Sequence, residues 1–210
     1  MGHLREPFEP EYYYHVYNHA NGSDNIFRED DNCIFFLDKI LIHICPITSI
    51  FAYCLMPNHF HLLLQINEES KLNSIFKTEK IDDISGLISH RFGNLQNSYA
   101  KAFNKKYHRK GSLFNQSINR NTITSEEYLI QDLTYIHLNP VNHNFCLNPE
   151  DWKFSSFHSY IRNTSKLVSA PDELINIEDG LEWFDGLDNF LYYHRSRVYE
   201  KYVEKMELDY

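Results

Sequence analysis

Two apolar, β-rich runs separated by two turn residues constrain the fold of this chain most strongly. The first run covers residues 47–56, Pro57-Asn58 provides the turn, and the second run covers residues 59–65. Side chains alternate between the two faces of a strand, so His59 and His61 project to the same face. The pattern therefore predicts a hairpin of two buried strands that carries two imidazoles side by side.

Two interpretations of this histidine pair are open from the spacing. Two neutral imidazoles that overhang one spot can form half of a metal site. Alternatively, His59 and His61 are half-buried histidines whose nitrogens are satisfied by backbone groups. The spacing alone favours this second interpretation, because four-residue or cysteine-paired spacings are the strong metal signals.

The elements around the hairpin predict the fold class. They are a strand over 11–19, a helix over 30–44, a long helix over 84–103, a short strand or extended segment over 112–123 and a helix over 125–138. The order of strand, helix, strand, hairpin and strand predicts an α+β fold. We expect a mostly antiparallel sheet with helices packed on it, in the ferredoxin-like or RNA-recognition-like manner, followed by a C-terminal helical appendage.

The predicted helix over 125–138 carries two distinct stripes. Leu129, Leu133 and Ile136 form an apolar stripe at helical spacing. Tyr135 and Asn139 are four residues apart on a different stripe, where a packing tyrosine is not expected. We expect Asn139-Pro140 to end this helix.

Net charge is −9, which by itself argues against nucleic acid as a partner. Residues 171–210 hold eleven Asp and Glu against four Lys and Arg, a net of −7, so the first 170 residues carry only −2. Residues 101–120 contain no acid, and their cations are interleaved with aromatic side chains, as on a surface that follows a nucleic-acid backbone. The candidate phosphate contacts are Lys101, Lys105, Lys106, Arg109 and Lys110. A solvated helix end and loop explain the same composition.

Three motifs resemble those of a known family. They are Met56-Pro57-Asn58-His59-Phe60-His61-Leu62, then Asp132-Leu133-Thr134-Tyr135-Ile136-His137-Leu138-Asn139-Pro140-Val141, then Asp151-Trp152-Lys153-Phe154-Ser155-Ser156-Phe157. Together they resemble the HUH single-tyrosine transposases of the insertion sequence 200-like superfamily, and most closely the REP-associated tyrosine transposases. The resemblance covers roughly residues 10–160, so we expect a transposase-like domain there, with a linker and a C-terminal helical extension over 161–210.

The resemblance implies a metal-dependent DNA transesterase. By it, Tyr135 is the nucleophile that forms a 5′-phosphotyrosine, and His59, His61 and Asn139 hold Mg²⁺ or Mn²⁺. Asn139 stands where insertion-sequence relatives usually have a glutamine. With neutral histidines as ligands, activity is expected to fall as pH drops through roughly 6 to 6.5.

The resemblance also implies the partner and part of its binding surface. The family's first strand is matched by Tyr14-His15-Val16-Tyr17-Asn18, so Asn18 and His19 are further candidate DNA contacts, although His19-Ala20 replaces a basic residue and glycine. The substrate implied is single-stranded DNA with a hairpin, a REP-like palindrome. A monomer is expected for the REP-associated group, while insertion-sequence relatives are dimers.

Two other functions remain open from the sequence. One is a non-catalytic protein that binds single-stranded nucleic acid, and the other is a metal phosphodiesterase that uses water as its nucleophile. We find neither a signal peptide nor a membrane helix in the sequence, and the four cysteines have no C-x-x-C spacing, so we expect a cytoplasmic protein.

Overall fold

A four-stranded antiparallel sheet is the centre of the fold. The computed structural model describes residues 6–78, 80–115, 117–161 and 174–208. The strands are β1 (Tyr13–His19), β2 (Thr48–Met56), β3 (His59–Ile66) and β4 (Asn119–Ile123). They lie in the order β2-β3-β1-β4, and β1 and β2 pair antiparallel with opposite sides of β3. This is the ferredoxin-like strand order, and the predicted α+β class is confirmed.

The helices cover both faces and one edge of the sheet. They are α1 (Asp30–His43), α2 (Glu69–Phe76), α3 (Ile84–Lys106), α4 (Glu126–Asn142), α5 (Phe157–Ile161), α6 (Ile177–Glu182) and α7 (Leu187–Leu208), with 3-10 turns at Cys45–Ile47 and Pro149–Asp151. In the part of the chain that the structure describes, no helix is both long and apolar enough to cross a membrane.

The face of the sheet opposite the two histidines holds the apolar core. Phe36 of α1 packs on Phe60 of β3 with ring centroids 4.9 Å apart, and Tyr99 of α3 packs on Phe36 at 5.0 Å. All three side chains are fully buried or nearly so. Alternation along β3 therefore separates the chain into an aromatic layer under α1 and α3 and a polar layer that contains the histidines.

The other face is covered by α4, whose C-terminal end differs from the prediction. Ser125 caps the helix by accepting a hydrogen bond from the Tyr128 backbone, as the sequence pattern indicates. The helix does not end at Asn139-Pro140 but continues to Asn142. Pro140 removes one backbone donor, yet its fixed φ suits a helix, and the next turn closes when the His143 N–H donates to the Asn139 carbonyl at 3.0 Å. This extra turn keeps Asn139 inside the helix.

The segment after residue 150 covers the β2 edge. The Leu55 N–H donates to the Phe154 carbonyl at 2.9 Å, and the Asn176 N–H donates to the Ile50 carbonyl at 2.8 Å. Phe190 of α7 stacks on Tyr160 at 4.8 Å. The C-terminal helices are thus present and in contact with the sheet layer, while the predicted domain boundary at 160 stays a prediction and the predicted linker over 162–170 lies outside the described residues.

Candidate active site

The histidine face of β3 lies directly beneath α4. His59 and His61 occur on that face, opposite His19 and Tyr17 of β1 in the strand register. Both histidines are only 5% exposed. Because α4 crosses above them, the imidazoles contact those side chains of α4 that face the sheet.

Asn139 is the residue of α4 that joins the two imidazoles. Its Oδ1 lies 3.0 Å from His59 Nε2, and its Nδ2 lies 3.3 Å from His61 Nε2. Asn139 itself is fully buried. The ring nitrogens of His59 and His61 and the amide of Asn139 therefore converge on one buried spot between β3 and α4.

Each ring nitrogen of His59 has an amide oxygen beside it. Asn58 Oδ1 lies 2.7 Å from His59 Nδ1, while Asn139 Oδ1 lies 3.0 Å from His59 Nε2. A neutral imidazole has a single N–H, so it can satisfy only one of these two oxygens. With the proton on Nδ1, where it donates to the exposed Asn58, the Nε2 lone pair faces Asn139 Oδ1, and a nitrogen and an oxygen lone pair that face each other form a suitable environment for a cation.

The donor set is a mixed one. Two imidazole nitrogens and an amide oxygen are donors that Mn²⁺ and Mg²⁺ accept together with water and phosphate oxygens. Among the described residues, no group of three or more His, Cys, Asp or Glu side chains is arranged to hold a metal ion. A three-donor site here thus requires the amide of Asn139, and the residues present fit a divalent cation on that condition.

Burial keeps both imidazoles neutral. The pKa of His59 is lowered to about 4, mainly by burial, while the hydrogen bond with Asn139 acts in the opposite direction and the neighbouring His19 and His143 add to the lowering. Burial also lowers the pKa of His61 to about 2, with contributions from His15 and His59. Neutral imidazoles are the form that binds metals, so the site has the required protonation state well below neutral pH.

Tyr135 lies above the histidines and remains accessible. Its ring centroid is 5.7 Å from that of His61 and 6.0 Å from that of His15, and the residue is 43% exposed. Burial of part of the ring and the nearby Asp132 charge raise the pKa of Tyr135, whereas a hydrogen bond with Asn139 lowers it. The hydroxyl therefore needs a nearby positive charge to act as a nucleophile at neutral pH.

A cleft of ≈ 360 Å³ opens beside Tyr135 between β4 and α4. Its surface mixes polar and apolar groups, and it is lined by His15, Asn121, Thr122, Ile123, Tyr128, Gln131, Asp132 and Tyr135. An open cleft of this kind beside an accessible hydroxyl can hold an extended substrate that has both polar and apolar parts.

The predicted cationic contacts lie elsewhere. Lys101, Lys105 and Lys106 are on the last turns of α3, in the layer behind the sheet, and Arg109 and Lys110 follow them. Lys106 forms an ion pair with Glu29, and Arg109 donates to Asp24 Oδ2. The structure does not bring these five residues to the histidine face.

The two predicted contacts at the end of β1 differ from each other. His19 is exposed and stacks on His59 with ring centroids 4.9 Å apart, so it lies at the mouth of the site. Asn18 is fully buried, and its Nδ2 donates to the Asn115 carbonyl at 3.2 Å. Asn18 therefore holds the loop after α3 and does not face the tyrosine.

Sequence reasoning assigned no role to His15 and Asp132. His15 Nε2 lies 2.8 Å from His61 Nδ1, and His15 Nδ1 lies 2.6 Å from Asp132 Oδ1. Alternation along β1 puts His15 on the same face as His19, and Asp132 is one helical turn before Tyr135. Those two signals were available, but only the strand register brings His15 next to His61.

Comparison with known proteins finds similarity in sequence over part of the chain and similarity in fold over most of it. A curated protein of Haemophilus influenzae, whose name assigns it provisionally to the REP-associated tyrosine transposases, is 26% identical over 111 residues. A solved structure of a REP-associated tyrosine transposase bound to a REP hairpin superimposes with a TM-score of 0.59 at 15% identity, over 80% of this chain and 94% of that one. This chain is similar to a curated protein of that name over about half of its length, and to a solved REP-associated tyrosine transposase in fold.

The sequence match covers only part of each protein. The aligned region spans 53% of this chain and 60% of the Haemophilus influenzae relative, less than two thirds of its length. No family model matches the chain. A bacterial tRNA(His) guanylyltransferase-like protein in complex with GTP superimposes with a TM-score of only 0.40. At 15% identity, the solved REP-associated transposase supports the fold.

Proposed function

We propose that this protein cleaves and rejoins single-stranded DNA beside a hairpin, with Tyr135 as the nucleophile. One observation carries the proposal: α4 lies over β3 so that Tyr135 and Asn139 both meet the face that bears His59 and His61. Tyr135 and Asn139 on one side, and His59 and His61 on the other, come from different elements and are more than seventy residues apart in sequence. A stripe of two polar side chains on a helix has no packing reason to meet two histidines.

His59, His61 and Asn139 would hold the divalent cation, Mg²⁺ or Mn²⁺. When bound, the cation would polarise the scissile phosphate and offset the negative charge that develops in the transition state. The protein contributes neutral imidazoles, whose pKa values burial keeps low, and a buried amide oxygen. It also holds the phenol of Tyr135 next to this spot, so the attacking group is already oriented.

The reaction is a transesterification. The Tyr135 oxygen bonds to the scissile phosphorus, and the bond from phosphorus to the 3′ oxygen breaks. The phenolic proton is lost, the leaving 3′ oxygen gains a proton, and the 5′ end remains attached to Tyr135 as a phosphotyrosine. Because one phosphodiester replaces another, a second 3′-hydroxyl can reverse the step and rejoin the strand without a nucleotide cofactor.

The substrate class follows from the cleft and from the relative. A single strand is narrow and flexible enough to follow the open cleft along β4 to Tyr135. The solved relative is bound to a REP hairpin. We therefore propose a hairpin next to the single-stranded cleavage site as the element that this chain recognises.

The proposal is tested by a covalent adduct. Purified protein with Mn²⁺ and a labelled single strand that carries a hairpin should form a protein-linked product that survives denaturing electrophoresis. Tyr135→Phe should abolish the adduct while DNA binding persists, because only the hydroxyl is removed. Tyr128→Phe is the matched control, since Tyr128 is an exposed tyrosine of the same helix and also lines the cleft; it should leave the adduct intact.

Other outcomes identify other functions. Free DNA ends with no protein-linked product would indicate a phosphodiesterase that uses water. Salt-sensitive binding that is indifferent to chelator and to His59→Ala, with no cleavage at all, would indicate a non-catalytic binder. An adduct that persists in Tyr135→Phe would contradict the assignment of the nucleophile.

A further inference from the structure

Asp132 and His15 form a hydrogen-bonded chain that ends on His61. We propose that these two residues are positioning residues, which fix the tautomer of His61 so that its Nε2 lone pair points at the metal site. The inference rests on the proposed function, because it concerns how that site is prepared. Neither residue reaches the spot where His59, His61 and Asn139 converge, so they act through His61.

The direction of the chain follows from its first member. An ionised carboxylate accepts hydrogen bonds and donates none, so His15 Nδ1, 2.6 Å from Asp132 Oδ1, must carry a proton. An imidazole that carries its one proton on Nδ1 has a lone pair on Nε2. That lone pair lies 2.8 Å from His61 Nδ1, which must therefore donate. His61 is left with its own lone pair on Nε2.

The contact at the other end of His61 agrees with this direction. Asn139 Nδ2 lies 3.3 Å from His61 Nε2, and an amide nitrogen is a donor. His61 Nε2 therefore accepts in the metal-free chain, and the same lone pair is the one a cation would use. Four side chains from β1, β3 and α4 thus agree on a single proton arrangement.

The carboxylate depends on His15 for its pairing. The side chains of His15 and Asp132 are 10% and 16% exposed, and Asp132 Oδ2 is buried without a hydrogen-bond partner among the described residues. A buried carboxylate that keeps one oxygen unpaired is costly to hold in place unless its other contact is strong. This cost is understandable if Asp132 sets the orientation of a functional imidazole, in the way that outer-shell carboxylates orient metal-binding histidines.

An isosteric change at Asp132 tests the direction in which the hydrogen bonds of this chain run from donor to acceptor. An asparagine at this position could donate its amide N–H to His15 Nδ1, and the chain would then reverse. His15 Nε2–H would donate to His61 Nδ1, and His61 would carry its proton on Nε2, where the cation must bind. Asp132→Asn is therefore expected to weaken metal binding although it preserves size and shape.

The experiment measures Mn²⁺ binding by itself, by calorimetry or by electron paramagnetic resonance, in the full-length protein without DNA. We expect Asp132→Asn and His15→Phe to weaken Mn²⁺ binding by roughly 10- to 100-fold, the usual cost of losing an outer-shell partner. His15→Gln should stay within about threefold of the wild type, since a glutamine oxygen can still accept from His61. Glu127→Gln is the control, because Glu127 is an exposed acid of α4 that contacts Gln131.

A second measurement reports the tautomer directly. Imidazole nitrogen chemical shifts of the metal-free protein should show the proton of His61 on Nδ1 in the wild type and in Glu127→Gln, and a substantial Nε2–H population in Asp132→Asn. Unchanged Mn²⁺ affinity and an unchanged His61 tautomer in Asp132→Asn would overturn the positioning role. Equal losses in His15→Gln and His15→Phe would overturn it too, because they would point to packing.

Failure of the underlying metal site looks different. In that case His61→Ala would bind Mn²⁺ as well as the wild type, or the wild type would bind none, whatever Asp132→Asn does. Thermal unfolding of each variant identifies any that fails to fold, and His15→Gln decides the question if Asp132→Asn is among them.

Discussion

Two pairs of buried histidines lie on opposite sides of α4. They differ in the groups that lie at the ends of their hydrogen-bonded chains. His59 and His61 face Asn139, while His137 and His194 lie on the side toward α7. Residues 137 and 139 are two apart, about 200° around a helix, so a single helix separates the two pairs. Burial lowers the pKa of all four imidazoles, so each is held in its neutral form.

The pair toward α7 forms a closed chain. His194 Nδ1 donates to the Phe190 carbonyl at 2.8 Å, so its Nε2 accepts from His137 Nδ1 at 3.1 Å. His137 Nε2 then accepts from the Ser156 hydroxyl at 2.7 Å. Every ring nitrogen has a partner of the right kind, which is the usual arrangement of buried polar groups in a core.

The pair toward Tyr135 forms an open chain. Asp132 and His15 orient His61 just as the Phe190 carbonyl orients His194. This chain differs at both of its ends: Asp132 Oδ2 is buried without a hydrogen-bond partner among the described residues, and the accessible Tyr135 lies beside His61. Burial and low pKa values are common to both pairs, so neither property identifies a functional site; the unpaired carboxylate oxygen and the accessible tyrosine do.

The largest expected effect is a contrast between two variants, each of which loses one histidine from one pair. His61→Ala should weaken Mn²⁺ binding by more than roughly 100-fold, since losing an outer-shell partner alone costs 10- to 100-fold. It should change the free energy of unfolding by only about 1 kcal/mol, because the polar space can admit water. His137→Ala should leave Mn²⁺ affinity unchanged but lower the free energy of unfolding by about 2–4 kcal/mol, by leaving a cavity and unpaired partners.

Calorimetric Mn²⁺ titration and urea unfolding of His61→Ala and His137→Ala check this contrast. If His137→Ala loses Mn²⁺ affinity as strongly as His61→Ala does, the two pairs are coupled through α4 and the distinction between closed and open chains is wrong.

An intermediate effect concerns pH, where the two pairs should behave alike. In the unfolded chain each histidine binds a proton below its ordinary pKa of about 6.5, whereas the folded pKa of His61 is about 2. Stability is therefore full above pH 6.5 and falls as pH drops, by about 2 kcal/mol per buried histidine at pH 5. Urea unfolding at pH 7 and pH 5 should show this loss reduced by about that amount in His61→Ala and also in His137→Phe.

The lowered histidine pKa values also extend the pH range in which we expect metal binding to lower pH. The ordinary histidine pKa predicts a decline of activity through pH 6 to 6.5, but burial lowers the pKa of His59 to about 4. Mn²⁺ binding to the folded protein should thus persist to about pH 5 and decline near pH 4. A decline of Mn²⁺ affinity that is complete by pH 6 would mean that the imidazoles are solvated.

Much of the site could be predicted from the sequence because it depends on local periodicity. Alternation along β3 places His59 and His61 together, and a spacing of four on a helix places Tyr135 over Asn139. These rules need only a few consecutive residues. The family motifs then indicated which helix should meet which strand, and the structure agrees.

The remaining features depend on contacts that no local pattern encodes. The partnership of His15 with His61 requires the register between β1 and β3, and that of His137 with His194 joins residues 57 apart. The end of α4 was mispredicted because Pro140 is a usual stop signal, and only the packing of the last turn keeps it helical. A run of cations is visible in the sequence, but its pairing with Asp24 and Glu29 is not.

The smallest expected effect concerns those cations and asks whether DNA that reaches the open pair also touches α3. Lys101, Lys105 and Lys110 are exposed, whereas Lys106 and Arg109 are paired with acids. If the three exposed lysines contact a single strand, replacing all three by glutamine should reduce the slope of log affinity against log salt by about 2, at about 0.7 per phosphate contact. Mn²⁺ affinity and the amount of adduct at saturating DNA should not change.

The control for this prediction is a second triple substitution to glutamine around α2, at Lys71, Lys77 and Lys80, which changes the net charge equally. A reduction of the salt slope that is the same in both variants would be a general effect of net charge. A reduction confined to the α3 variant would mean that the strand extends from the cleft beside Tyr135 around the sheet to its opposite layer. Neither result requires DNA to contact the side of α4 that bears His137 and His194. Both results are therefore compatible with a difference in function between the two histidine pairs.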